Sequence, residues 1–116
     1  MTCSMSYNII PTDNFKREVK QLAKKYRSLK TNLKQLRTEL KKNPSLGTHL
    51  GNNVYKIRMA ITSKGRGKSG GARIIYYVFV QNEQIFLMCI FDKSEKENIF
   101  DKEIKMYLKN LFKKIL

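Results

Sequence analysis

Two stretches, Arg73–Val80 (RIIYYVFV) and Ile85–Asp92 (IFLMCIFD), are almost wholly apolar, and only Gln81-Asn82-Glu83-Gln84 separates them. Side chains alternate between the two faces of a strand, so a strand that is apolar at successive positions must be covered on both faces. The short polar link between two such strands predicts an antiparallel hairpin at the centre of a sheet. The rest of the chain has to supply its flanking strands and its cover.

Met5–Pro11 (MSYNIIP) reads as a short first strand stopped by proline. Thr12 and Asp13 offer N-cap chemistry for a helix whose apolar stripe is Phe15, Val19, Leu22, Ala23 and Tyr26. Leu29, Leu33, Leu36 and Leu40 carry the stripe on to Asn43-Pro44, which ends it. One helix of about 30 residues would be long for so small a domain, and Ser28 can cap a second, so a helical hairpin is expected. Ser45–Asn53 (SLGTHLGNN) reads as loop. In Val54–Thr62, Tyr55, Ile57, Met59 and Ile61 alternate with Val54, Lys56, Arg58 and Ala60, the pattern of a half-buried strand. Ser94-Glu95-Lys96-Glu97 resembles a capping box opening a brief helical turn. Asp101 is placed to cap a last helix with Ile104, Leu108, Leu111 and Ile115 on one face. The expected order is β-α-α-β-β-β-α: an α+β fold, a small mostly antiparallel sheet with the N-terminal helical hairpin on one face and a C-terminal helix.

At 116 residues, without repeats or a linker, residues 1–116 are expected to form a single domain. The formal net charge is +15, from 24 Lys and Arg against 9 Asp and Glu, which makes an acidic partner physically reasonable: nucleic acid, an acidic protein, or both in turn. Cys3 and Cys89 imply no disulfide framework, the first six residues lack the pattern of a secretory leader, and no apolar run approaches membrane-spanning length. A cytoplasmic protein without membrane attachment is expected. One His and two distant Cys make a poor metal site, so neither metal nor cofactor is expected.

Lys56 and Arg58 lie two apart on one strand and therefore point the same way. The loop that follows, Ser63-Lys64-Gly65-Arg66-Gly67-Lys68-Ser69-Gly70-Gly71-Ala72, and Arg73 at the head of the next strand bring further positive charge toward them. Glycines at 65, 67, 70 and 71 let backbone approach a partner closely. Several cations without paired carboxylates suit a phosphodiester better than a sugar, a peptide or a metal. Against this stand plainer readings: a charged solvent face for Lys56 and Arg58, and a long hairpin connection for the glycines. Gly67-Lys68-Ser69 looks like the tail of a nucleotide-binding P-loop, but Thr62 stands where that motif needs glycine, and strands flank it on both sides. His49, in a loop with nothing in sequence to orient it, reads first as a solvated residue.

Val54-Tyr55-Lys56-Ile57-Arg58, then Gly65 to Tyr77 (GRGKSGGARIIYY), then Ile90-Phe91-Asp92-Lys93-Ser94-Glu95 together resemble the RelE/ParE toxin superfamily, in its HigB-like branch, over nearly the whole chain. The resemblance implies a RelE-like fold and a toxin of a type II toxin–antitoxin module. It implies an endoribonuclease that cuts messenger RNA on the ribosome without metal, the RNA's own 2′-hydroxyl attacking the adjacent phosphate. It further implies a cognate antitoxin, often with a helix-turn-helix domain, that holds the toxin in a hetero-oligomer. On that reading the catalytic candidates are Lys56 as base, Arg58 and Arg73 on the phosphate, and Lys93, relatives tending to place an arginine where this chain offers Lys93 or Ser94. Lys64, Arg66, Lys68, Ser94 and Phe100 are candidates for binding RNA, Phe100 standing near a position where relatives often carry tyrosine; phenylalanine stacks on a base but transfers no proton. ParE-like relatives share the fold and poison DNA gyrase instead, so a non-nuclease toxin, or a basic RNA-binding module without turnover, are the alternatives.

Overall fold

The computed structural model describes residues 6–65, 67, 70–95, 99 and 101–115. Strand β1 is Asn8–Pro11, helix α1 Asp13–Lys25, helix α2 Leu29–Lys42, strands β2 Thr48–Gly51 and β3 Val54–Met59, β4 Ala72–Phe79, β5 Gln84–Asp92, and helix α3 Asp101–Ile115. Single turns of 3-10 helix, Thr62–Lys64 and Val80–Asn82, follow β3 and β4. The five strands lie in the order β1-β5-β4-β3-β2, with β1 parallel to β5 and the other pairs antiparallel. The two apolar strands are thus β4 and β5, paired at the sheet interior, and Glu83 closes their turn at φ 52°.

Alternation divides the sheet into two cores. Ile57, Met59, Ile74, Tyr76, Val78, Ile85 and Leu87 face α1 and α2 and meet Phe15, Leu22, Leu29, Leu33, Leu36 and Leu40. Leu29 and Leu40 are wholly buried, each burial stabilising the fold by about 1.5–3 kcal/mol. Val54, Ile75, Phe86, Met88 and Phe91 take the opposite face and meet Ile104 and Leu111 of α3. Helices therefore cover both faces. This is what lets β4 and β5 be apolar at nearly every position.

The parallel strand β1 reaches only Gln84 to Leu87 of β5. Beyond it β5 carries a bulge at Met88, where the register with β4 shifts between Ile75 and Tyr76. The start of α1 caps this open edge. Thr12 Oγ1 donates to the Leu87 carbonyl (2.9 Å), Asn14 Nδ2 donates to that of Met88 (3.0 Å), and the Ile90 N–H donates to Glu18 Oε1 (3.1 Å). Thr12 also caps α1, its hydroxyl accepting from the Phe15 N–H.

Three local expectations are corrected. Residues 45–53 are not all loop: Thr48–Gly51 form β2, whose short run of exposed residues gave no apolar alternation to read. The hairpin does break at Ser28, but its hydroxyl caps nothing; it donates to Asn32 Oδ1 and accepts from the Ser63 N–H, both at 2.9 Å. Asp101 is the first residue of α3 rather than the one before it. The expected start of the first strand at Met5 and the second half of the expected capping box, Lys96-Glu97, lie outside the described residues.

Candidate nucleic-acid interface

In the β3–β4 ladder Arg58 stands directly opposite Arg73, and Lys56 opposite Ile75. Opposed residues point to the same side, so all three cations project from the α3 face of the sheet. Arg58 is exposed, Lys56 half-buried, and Arg73 only 4 % exposed. Arg73 Nη1 donates to the carbonyl of Ala72 at 3.3 Å. Burial, with the charge of Arg58 beside it, pulls the Arg73 guanidinium below its ordinary arginine value, though it stays cationic. Like charges facing each other across a ladder cost stability. An anion bound between them would remove that cost. A groove of about 690 Å³ continues along the outer edge of β3, lined by Lys56, Arg58, Thr48, Gln35 and Glu39 among others.

Close packing holds the two arginine-bearing strands in register. A Cβ on Gly71 would lie 2.1 Å from the Met59 carbonyl oxygen, so only glycine lets the returning loop enter β4 here. Gly65 and Gly67 sit at φ 73° and 64°, in open space, where glycine turns the chain without steric cost.

Lys64 departs from its expected place. It does not join the Lys56, Arg58, Arg73 patch; its ammonium pairs with Asp92 Oδ1 at 2.9 Å and lies 5.2 Å from the ring centre of Tyr26, with 12 % of its side chain exposed. The reason is the buried carboxylate of Asp92, whose side chain has no exposure and needs a counter-charge. Ser94 too is drawn to it. Its N–H donates to Asp92 Oδ1 at 3.0 Å, and its side chain is also hydrogen-bonded there. Residues 93–95 form a turn organised by Asp92, and the Glu95 N–H donates to the Asp92 carbonyl. The Lys93 N–H donates to the Gly71 carbonyl at 3.1 Å, which sets its backbone two residues from Arg73. Arg66, Lys68 and Phe100 lie outside the described residues.

His49 is on β2, not in a loop, its ring 5.0 Å from that of Tyr55, which stacks at 5.3 Å on Tyr76. Tyr76 is fully buried; its hydroxyl donates to the Pro44 carbonyl (2.8 Å) and accepts from the Gly47 N–H (3.0 Å). Burial pushes that phenol up to about 12 despite the Gly47 hydrogen bond.

Sequence reading missed Asp92 and the polar clasp below it. The signal was present: an acid ends the otherwise apolar run of β5 with a tyrosine, Tyr26, at the end of the α1 stripe. Nothing in sequence joined them. Among the described residues no group of three His, Cys, Asp or Glu could hold a metal ion, and no helix is long and apolar enough to cross a membrane.

The fold and chain both have known counterparts. The isolated E. coli RelE toxin is 16 % identical, with a TM-score of 0.58 over 91 % of this chain and 99 % of that one. An arginine-substituted form of E. coli RelE in the free state is 19 % identical, with a TM-score of 0.59 over 97 % of this chain and 100 % of the other. The Mycobacterium tuberculosis toxin–antitoxin complex RelBE2 gives a chain 14 % identical, with a TM-score of 0.57 over 79 % of this chain and 97 % of that one. At such identities the likeness speaks for the fold alone. The family model of the RelE toxin of the RelE/RelB toxin–antitoxin system, however, matches residues 8–115. This chain belongs to the RelE toxin family.

Proposed function

We propose that this toxin is a ribosome-dependent messenger-RNA endonuclease, of the HigB-like kind, held inactive in the cytoplasm by a cognate antitoxin. The observation that carries the reading is the directly opposed pair Arg58 and Arg73, with Lys56 on the same face of the same two strands. Cleavage by the RNA's own 2′-hydroxyl requires a proton acceptor, positive charge at the pentavalent phosphorane and a proton for the leaving 5′-oxygen. Lys56 is the candidate base. Arg58 is exposed, and a guanidinium can donate two parallel hydrogen bonds to phosphate oxygens. Arg73, fixed beneath it, contributes charge from a site that water scarcely reaches. Lys93, Arg66, Lys68 and Phe100 remain candidates around this centre. Lys64 and Ser94, engaged by Asp92, serve it indirectly.

An acidic antitoxin segment, with or without a helix-turn-helix domain, would compete with RNA for the same cations; the E. coli RelBE and M. tuberculosis RelBE2 complexes are toxin–antitoxin assemblies of this fold. Expression in growing cells tests the reading. Translation arrest with truncated messages supports it, and DNA damage with intact messages transfers it to the gyrase-directed class. Arg73→Ala is expected to lower cleavage by about two orders of magnitude or more while the protein stays folded. Undiminished toxicity in that variant would remove Arg73 from the centre.

A further inference from the structure

Asp92 is the one fully buried acid described in a chain with only 9 carboxylate side chains, and the chemistry above makes no use of it. Its side chain leaves β5 on the α1–α2 face, opposite to the arginines, and gathers donors from three segments. The Tyr26 hydroxyl comes from the end of α1 (2.5 Å), the Lys64 ammonium from the start of the glycine-rich loop (2.9 Å), and the Ser94 N–H from the turn after β5 (3.0 Å). The next residue, Lys93, binds the far end of the same loop through the Gly71 carbonyl. Two consecutive residues thus hold both ends of the loop: Asp92 at Lys64, Lys93 at Gly71. The clasp is extended on the α2 side. Asn32 Oδ1 accepts from the Thr62 N–H (3.1 Å), and Ser28 binds Ser63. The entry to Arg73 and the backbone of Lys93 are thereby fixed.

We infer that Asp92 is the positioning residue of the cationic centre: from the opposite face of the sheet it sets the loop ends and the 93–94 turn, so that Arg73 and Lys93 meet the RNA phosphate from a fixed backbone. This role rests on the nuclease reading. A pure packing role would be served by any residue that fills the space; a positioning role needs the carboxylate's charge and its several acceptor directions. Asparagine has the same shape and half the acceptor capacity.

The test is Asp92→Asn in the full-length toxin on ribosomes programmed with a defined message. The kcat for cleavage should fall by about tenfold to a hundredfold, as for a displaced catalytic group, while KM stays within about twofold. Amide exchange at Ser94 should rise by about tenfold, because a charged acceptor has become a neutral one, with exchange at Ile74 and Ile90 unchanged. Should Asp92→Asn fail to fold, Tyr26→Phe removes a single donor and is expected to lower kcat by a few-fold at unchanged KM. A wild-type protein that cuts and a folded Asp92→Asn protein that cuts equally well overturn the positioning role alone. Loss of activity only in proportion to the folded fraction overturns it as well. A wild-type protein that cuts nothing on ribosomes overturns the nuclease reading and this role with it, a result plainly different from the other two.

Discussion

Replacing Arg58 by glutamine should make this protein more stable and less active at once. Arg58 and Arg73 are cross-strand partners, and opposed side chains start with Cβ atoms roughly 4.5–5.5 Å apart. Glutamine keeps most of the aliphatic stem and removes the charge, so the packing of β3 against β4 is little changed. A like-charge pair in this geometry costs about 0.2–1 kcal/mol, which Arg58→Gln should return. In a domain of this size that is a rise in Tm of about 1–5 °C. The gain has a signature: it should shrink from about 0.1 M to about 1 M salt, where the screening length falls from about 10 Å to about 3 Å. Thermal melts of both proteins across that range measure it, with cleavage on programmed ribosomes measured alongside. A lower Tm for Arg58→Gln at low salt, or a gain that ignores salt, would show that the two guanidiniums do not repel, and the picture of an anion-seeking centre would be refuted.

Other consequences follow from single contacts. Tyr76→Phe removes the hydroxyl that joins the Pro44 carbonyl to the Gly47 N–H, and leaving these without their partner should cost about 1–3 kcal/mol in denaturant unfolding. Because that phenol is raised to about 12 in the folded chain and unfolded tyrosine ionises near pH 10, wild-type stability should decline above about pH 10, and less so in Tyr76→Phe. Gly71→Ala sets a methyl 2.1 Å from the Met59 carbonyl; a loss of about 1–3 kcal/mol or more is expected, with cleavage falling further than stability since Arg73 is two residues away. Burial opposes ionisation of Asp92, but hydrogen bonds from Tyr26, Lys64 and Ser94 outweigh it and hold the carboxyl well below the usual range. Its contribution is therefore complete above the unfolded value of about 3.9 and is lost as pH falls through the depressed one; acid unfolding curves should be shallower for Asp92→Asn than for wild type. Parallel curves would contradict the buried ion pair.

What could be read in the sequence was whatever depends on local periodicity. The apolar runs of β4 and β5, the leucine stripe of α2 and the alternation of β3 each report burial directly, and each formed an element, β3 stopping at Met59 instead of Thr62, which opens a 3-10 turn. The shared face of Lys56 and Arg58 followed from their spacing. The Arg58–Arg73 opposition depends on how the connection 60–71 returns the chain to β4, and Gly71 against Met59 is what fixes the register. Strand β2 escaped notice because an edge strand of four residues, three of them exposed, need not alternate. Lys64 was misplaced for a different reason. A run of cations looks uniform in sequence, while one buried carboxylate, Asp92, claims one of them in space. Ser28 shows the same effect, its capping chemistry diverted to Asn32 and Ser63 by a contact across 35 residues. Long-range polar contacts of this kind leave no periodic trace.

On the proposed function, cations converging from β3 and β4 cut RNA through its own 2′-hydroxyl. The most direct measurement is the chemistry of RNA ends after the purified toxin acts on ribosomes translating a defined message in the presence of a metal chelator. Fragments bearing a 2′,3′-cyclic phosphate and a 5′-hydroxyl are expected, with no cut where the scissile nucleotide carries a 2′-deoxy sugar. Intact messages at toxin excess, or cleavage that persists at the 2′-deoxy position, would contradict the proposed function.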